Sequence, residues 1–97
     1  MLTGKQKRFL RAEAHHLKAI FQVGKDGVNE NMIKQLNDVL EKRELIKVNV
    51  LQNCLEDKHD VAEAIATQTN AHIVQIIGNQ IVLYKESLEN KTIVLPK

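Results

Sequence analysis

Apolar positions along this chain follow two periods, and the points where the period changes mark its elements. Phe9, Leu10, Ala14 and Leu17 recur at the three- to four-residue spacing of a helix. Thr3-Gly4-Lys5-Gln6 in front of them fits a capping box, with the hydroxyl and the amide serving the first turn. Ala19-Ile20-Phe21-Gln22-Val23 then reads as a short strand. Asn29 is placed to cap a second helix, in which Met32, Ile33, Leu36, Val39 and Leu40 give the i, i+1, i+4, i+7, i+8 pattern of a core-facing surface. Its outer face, which includes Lys34, Asp38, Glu41 and Lys42, mixes both signs and reads as solvated. Leu45–Leu51 alternates, Ile46, Val48 and Val50 against Lys47 and Asn49, as a strand with one wet face does. After a loop over Gln52–Glu56, Asp57 is expected to cap a third helix, Lys58–Thr69, striped by Val61, Ala62, Ile65 and Ala66. Two β-branched runs, Ile73–Ile77 and Gln80–Tyr84, flank Gly78-Asn79 and predict a hairpin.

The order helix, strand, helix, strand, helix, strand, strand predicts an α/β fold. Strand–helix–strand links imply parallel pairing, and the hairpin adds an antiparallel strand. The expectation is one domain over residues 1–86, a mixed four-stranded sheet backed by helices. Residues 87–97 form a tail, in which Ile93-Val94-Leu95 is compatible with a short edge strand or with a mobile end.

Composition narrows the function. Ninety-seven residues are enough for one domain with a modest core. Phe9, Phe21 and Tyr84 are the only aromatic residues, so the core is aliphatic and few rings remain for stacking on bases. A single cysteine, Cys54, excludes an internal disulfide or a multi-cysteine zinc site and fits a reducing compartment. Lys5, Lys7, Arg8 and Arg11 interrupt any apolar leader, and no run approaches the roughly 20 apolar residues of a membrane span. These features lead to the expectation of a soluble cytoplasmic domain with no membrane partner. Net charge is only +2, but residues 1–25 hold six Lys/Arg against one acid, a net +5, and the remainder eight against eleven, a net −3. A positive field concentrated at one end points to a polyanionic partner.

Two features in that basic segment are candidates for contacting it. On a helical wheel Phe9, Glu13, Gln6, Leu17, Leu10 and Ala14 share an arc of about 140°, while Lys7, Lys18, Arg11, His15 and Arg8 fill about the next 100°. Surface helices held by ion pairs interleave signs, and this one does not. Downstream, Gly24-Lys25-Asp26-Gly27 joins a strand to a helix. Paired glycines permit a tight turn with free amides beside Lys25, next to a helix N-terminus that favours an anion by about 0.3–1 kcal/mol. A Gly-x-x-Gly loop between elements is also how one class of RNA-binding module clamps a nucleic-acid backbone. No metal site is expected: neighbouring His15 and His16 diverge by about 100° on a helix, and His59, His72 and Cys54 stand apart. Nor can a nucleophile–base pair be assembled, so neither an enzyme nor a small-molecule or cofactor site is expected. A non-catalytic protein-docking module, using a sheet edge or the tail, is the alternative to an RNA binder.

In sequence order, Leu2-Thr3-Gly4-Lys5-Gln6-Lys7-Arg8-Phe9-Leu10-Arg11, Ala14-His15 and Val23-Gly24-Lys25-Asp26-Gly27 resemble the CRM domain (chloroplast RNA splicing and ribosome maturation) in its single-domain bacterial, YhbY-like form. Glu44–Val48 and Ile77–Lys85 extend the resemblance over roughly residues 2–86. It implies a fold similar to the C-terminal domain of a bacterial translation initiation factor. It also implies an RNA-binding protein acting on precursors of the large ribosomal subunit. The implied contacts are Gly24, Lys25 and Gly27 with Lys5, Lys7, Arg8 and Arg11, and Asp26, His15 and Lys18 join them as candidates. Two departures stand out. Thr69-Asn70-Ala71 occupies the place of a glycine-rich link, and Lys85 stands where the family usually has Arg.

Overall fold

The computed structural model describes residues 2–97. Its elements run α1 (Gly4–Ala14), β1 (Ala19–Val23), α2 (Glu30–Arg43), β2 (Leu45–Val50), α3 (Lys58–Thr69), β3 (His72–Ile77) and β4 (Gln80–Tyr84). The sheet order is β1-β2-β4-β3, with β1 parallel to β2 and β4 antiparallel to both neighbours. The mixed four-stranded α/β sheet predicted above is therefore the fold. β4, the second arm of the hairpin, inserts between β2 and β3.

The helices divide between the two faces of this sheet. Along β2, Ile46, Val48 and Val50 join Ile33, Leu36 and Leu40 of α2 and Val61, Ala62 and Ile65 of α3 in the larger core. Leu45, on the opposite face, packs with Leu10 and Ala14 of α1 and with Val74, Val82 and Tyr84. The result is three layers, with α2 and α3 below the sheet and α1 above it.

Local chemistry accounts for most boundaries. Thr3 and Gln6 form the capping box, the Thr3 hydroxyl accepting from the Gln6 N–H and the Gln6 side-chain Oε1 accepting from the Thr3 N–H. Asn29 Oδ1 accepts the Met32 N–H at 2.9 Å to cap α2. Asp57 occupies the N-cap position of α3, but its side chain makes no capping bond. That end is pinned instead by Lys58, whose Nζ donates to the Gly78 carbonyl in the hairpin turn at 2.6 Å. Asn70 ends α3 with φ 59°, the left-handed conformation Asn tolerates best after glycine, so the missing family glycine costs little.

Residues 85–97 carry no regular structure, so the edge-strand option for the tail is not the one taken. The backbone N–H groups a strand would use are absorbed by two carboxylates at the end of α2. Glu44 is fully buried, and its oxygens accept the N–H groups of Ser87, Thr92 and Ile93 at 2.7–2.9 Å. Glu41 accepts the N–H groups of Leu88 and Glu89 at 3.0 Å and the Ser87 hydroxyl at 2.5 Å. So fastened, the tail lays Ile93 and Leu95 against the α1 cluster. Glu44 has φ 64° and ψ −41°, a conformation that costs a residue with a side chain about 1–3 kcal/mol and persists only when its surroundings over-determine it. The three amide bonds, with a fourth from the Lys85 N–H to the Glu44 carbonyl, do so.

Candidate nucleic-acid interface

α1 buries Leu10 and Ala14 and leaves Lys5, Lys7, Arg8 and Arg11 exposed. Among the described residues the one ion pair is Lys91–Glu86, so none of these four cations is neutralised by a salt bridge. Lys5 and Gln6 also tie the helix start to the tail, donating to the carbonyls of Lys97 and Pro96 at 3.4 and 3.0 Å. The helix stops earlier than the wheel assumed. Ala14 is its last residue, His15 caps it, and the Leu17 N–H closes a turn onto the Ala14 carbonyl so that the chain can enter β1. His15 therefore stays beside Arg11, whereas Lys18 leaves the basic face and lies near Ile20 and Arg43.

The glycine loop differs from its sequence reading in one respect. The Gly27 N–H donates to the Gly24 carbonyl at 3.0 Å, closing a turn, so one of the amides expected to be free is occupied. The N–H groups of Lys25 and Asp26, at the exposed tip, make no hydrogen bond to any described residue. Gly27 has φ 65°, and a Cβ there would also collide with the Glu56 carboxylate. Gly24 lies against Asn53 and Leu51. With Asp26 and Glu30 close by, the loop is less cationic than Lys25 alone suggests.

The structure thus places loop and helix on different parts of the molecule, α1 above the sheet and the loop at the end of edge strand β1, leading to α2 below. What lies between them is the upper face of the sheet. Cross-strand pairing aligns Gln22, Asn49, Gln80 and Ile77 in one row, reaching from two residues before Gly24 to the hairpin. No acidic residue occurs in that row. Beside it, Arg11 and His15 meet Lys47, Gln75 and Gln80 around a depression of about 260 Å³. Lys47, a cation the sequence reading left as the wet face of a strand, donates one Nζ proton to the Leu17 carbonyl at 3.0 Å and has two left. Alternation placed its side chain on the polar face of β2, but only the packing of α1 over that face puts it beside Arg11.

Tyr84 is buried and stacks on His72 at 6.4 Å, so its ring belongs to the fold. Burial pushes the His72 imidazole below its usual range, with a further push from Lys7, and pushes the Tyr84 phenol up. The His15 and His16 rings meet edge to face at 5.7 Å. Among the described residues no group of three or more His, Cys, Asp or Glu side chains is placed to share a metal ion, and no helix is long and apolar enough to cross a membrane.

Comparison with known proteins bears on the family and the fold. The model of the CRS1/YhbY (CRM) domain matches residues 2–85. "Probable RNA-binding protein YqeI" of Bacillus subtilis (strain 168) is 71% identical over 96 residues, which span 99% of this chain and 100% of that protein. A Haemophilus influenzae chain named "RNA-binding protein" is 41% identical over 96 residues, covering 99% of this chain and 96% of its own length. The solution structure of the hypothetical protein SAV1595 from Staphylococcus aureus superposes with a TM-score of 0.82 at 60% identity, covering 99% of this chain and all of that one.

Proposed function

The chain belongs to the CRS1/YhbY (CRM) domain family, and from that premise we propose that it binds RNA without chemistry of its own, in the cytoplasm, on ribosomal RNA in precursors of the large subunit. The observation that carries this reading is the unpaired cationic face of α1, Lys7, Arg8 and Arg11, continued by His15 and Lys47. Cations without protein partners hold mobile counterions, and a polyanion that displaces them gains the entropy of their release. Lys25 and the open amides of Lys25 and Asp26 add a second phosphate contact at the far end of the sheet face. The names of the relatives support RNA as the polyanion, and the family resemblance supports a ribosomal one. With Tyr84 buried, backbone and shape dominate recognition over stacking.

Binding to fragments of large-subunit ribosomal RNA, titrated across salt, tests the proposal. With about five phosphates engaged, log K should fall against log[salt] with a slope of roughly −3.5 to −4.5. Neutralising Lys7, Arg8, Arg11 and Lys25 together should abolish binding while leaving the circular dichroism spectrum unchanged. A flat dependence for the unaltered protein would overturn the reading.

A further inference from the structure

The register of β3 contains one irregularity, and it shapes the depression beside α1. Strict alternation from Ile73, which faces the lower core opposite Leu83, would send Val74 up, Gln75 down and Ile76 up. Instead the pairing shifts between Ile73 and Gln75, so that Gln75 sits opposite Val82 and Ile76 opposite Ile81. Val74 is the extra residue of a β-bulge and joins the α1 cluster. The shift keeps Ile76 against the lower core and turns Gln75 and Ile77 to the upper face. Without it a carboxamide would enter an aliphatic core and an isoleucine would take its place above.

The side chains so gathered make a recognisable set. Gln75 and Gln80 line the depression, half-buried, and their amides make no hydrogen bond to any described residue. Ile77, 55% exposed, supplies an apolar surface at the same spot. Arg11 and Lys47 stand at its border with donors to spare. A carboxamide presents one donor and one acceptor side by side, the complement of the adenine N7 and N6 edge. Resting on the RNA reading above, we infer that this bulge-built depression is a nucleotide site, in which Gln75 and Gln80 read the edge of a single unpaired adenine. Ile77 packs on the base, while Arg11 and Lys47 hold its phosphate. Base selectivity in this protein then comes from amides on a sheet rather than from aromatic rings.

The test compares fluorescein-labelled oligoadenylate, oligouridylate and oligocytidylate, with a large-subunit ribosomal RNA fragment as control, by fluorescence anisotropy. The unaltered protein should prefer oligoadenylate. Q75A/Q80A should lose that preference, about 5–150-fold for a bidentate amide–base pair, with the salt slope unchanged. If the pair fails to fold by circular dichroism, Q80A alone, near the hairpin turn, takes its place and should lose part of the preference. An unaltered preference in the variant, or none in the parent, overturns the inference. So does binding of the ribosomal fragment without binding of any oligonucleotide. Failure to bind either RNA would overturn the RNA reading itself.

Discussion

The two faces of the sheet are closed by different means. Below it, α2 and α3 bring Leu36, Leu40, Val61 and Ile65 onto Ile46, Val48 and Leu83, and the seal is apolar and continuous. Above it, α1 covers only part of the surface with Leu10 and Ala14, and a tail held through carboxylates covers a further part. The uncovered end of that upper face carries the row from Gln22 to Ile77 and the cations of α1. The difference shows how a chain this short keeps one end of a sheet face open. It concentrates hydrophobic burial on one side and spends polar groups on the other.

The sharpest way to break the lower face is Leu36→Ala. Leu36 is fully buried between helix and sheet, and deleting a buried leucine side chain costs about 2–5 kcal/mol through lost transfer energy and the cavity left behind. Urea unfolding should shift to a lower midpoint with an unchanged m-value, and RNA affinity per folded molecule should stay as it was. A selective loss of affinity in the folded variant would mean the two faces are coupled.

Above the sheet the corresponding change is Glu44→Gln. The amide oxygen can still accept from Thr92 and Ile93, but its NH₂ then faces the Ser87 N–H, donor against donor. A buried donor left unsatisfied costs about 1–3 kcal/mol. The effect should be local. Hydrogen exchange at residues 85–95 should quicken while α2 and α3 keep their protection. Uniform loss of protection would show that the tail is part of one cooperative unit with the lower core.

The same contrast explains what could be read in the sequence. The lower face was legible because its parts obey period rules. The second helix showed its stripe at Ile33, Leu36 and Leu40, and Gly78-Asn79 announced the hairpin, whose first strand starts one residue earlier than read, at His72. The upper face was legible only in part, in the capping box and apolar stripe of α1. No Gly or Pro marks the stop at Ala14, so the wheel ran on and drew Lys18 into the basic stripe. Ile73–Ile77 looks like an unbroken β-branched run, which hides the bulge at Val74 and the direction of Gln75. Glu41 looked like solvated surface because its partners lie 46–49 residues away, beyond any local pattern. The candidate contacts Lys7, Arg8, Arg11 and Lys25 were visible as a charge imbalance, whereas their separation by the sheet face was visible only in the topology.

Acid gives the finest test of the comparison. The Ser87 hydroxyl, with the Leu88 and Glu89 N–H groups, holds the Glu41 carboxyl at about 2, against 4.5 for an unconstrained glutamate. Glu44 is shifted in the same direction. Burial alone would push it up, but the N–H groups of Ser87, Ile93 and Thr92 outweigh that and bring it below the usual range. A carboxylate whose folded pKa is depressed contributes stability that is complete above its unfolded pKa and is lost as pH falls through the folded one. The contribution of Glu41 is therefore whole above about pH 4.5 and disappears as pH approaches 2. The Leu88 and Glu89 amides bond to Glu41 and not to Glu44, so their NMR shifts separate the two groups. Both shifts should titrate with a midpoint near 2, and Glu41→Gln should flatten them. The amides of α3 that lie over the lower core should not move with them, because that core contains no carboxylate among the described residues. A midpoint near 4.5 would mean that the tail does not rest on Glu41 in solution. The upper face would then be held by Glu44 and the apolar contacts of Ile93 and Leu95 alone.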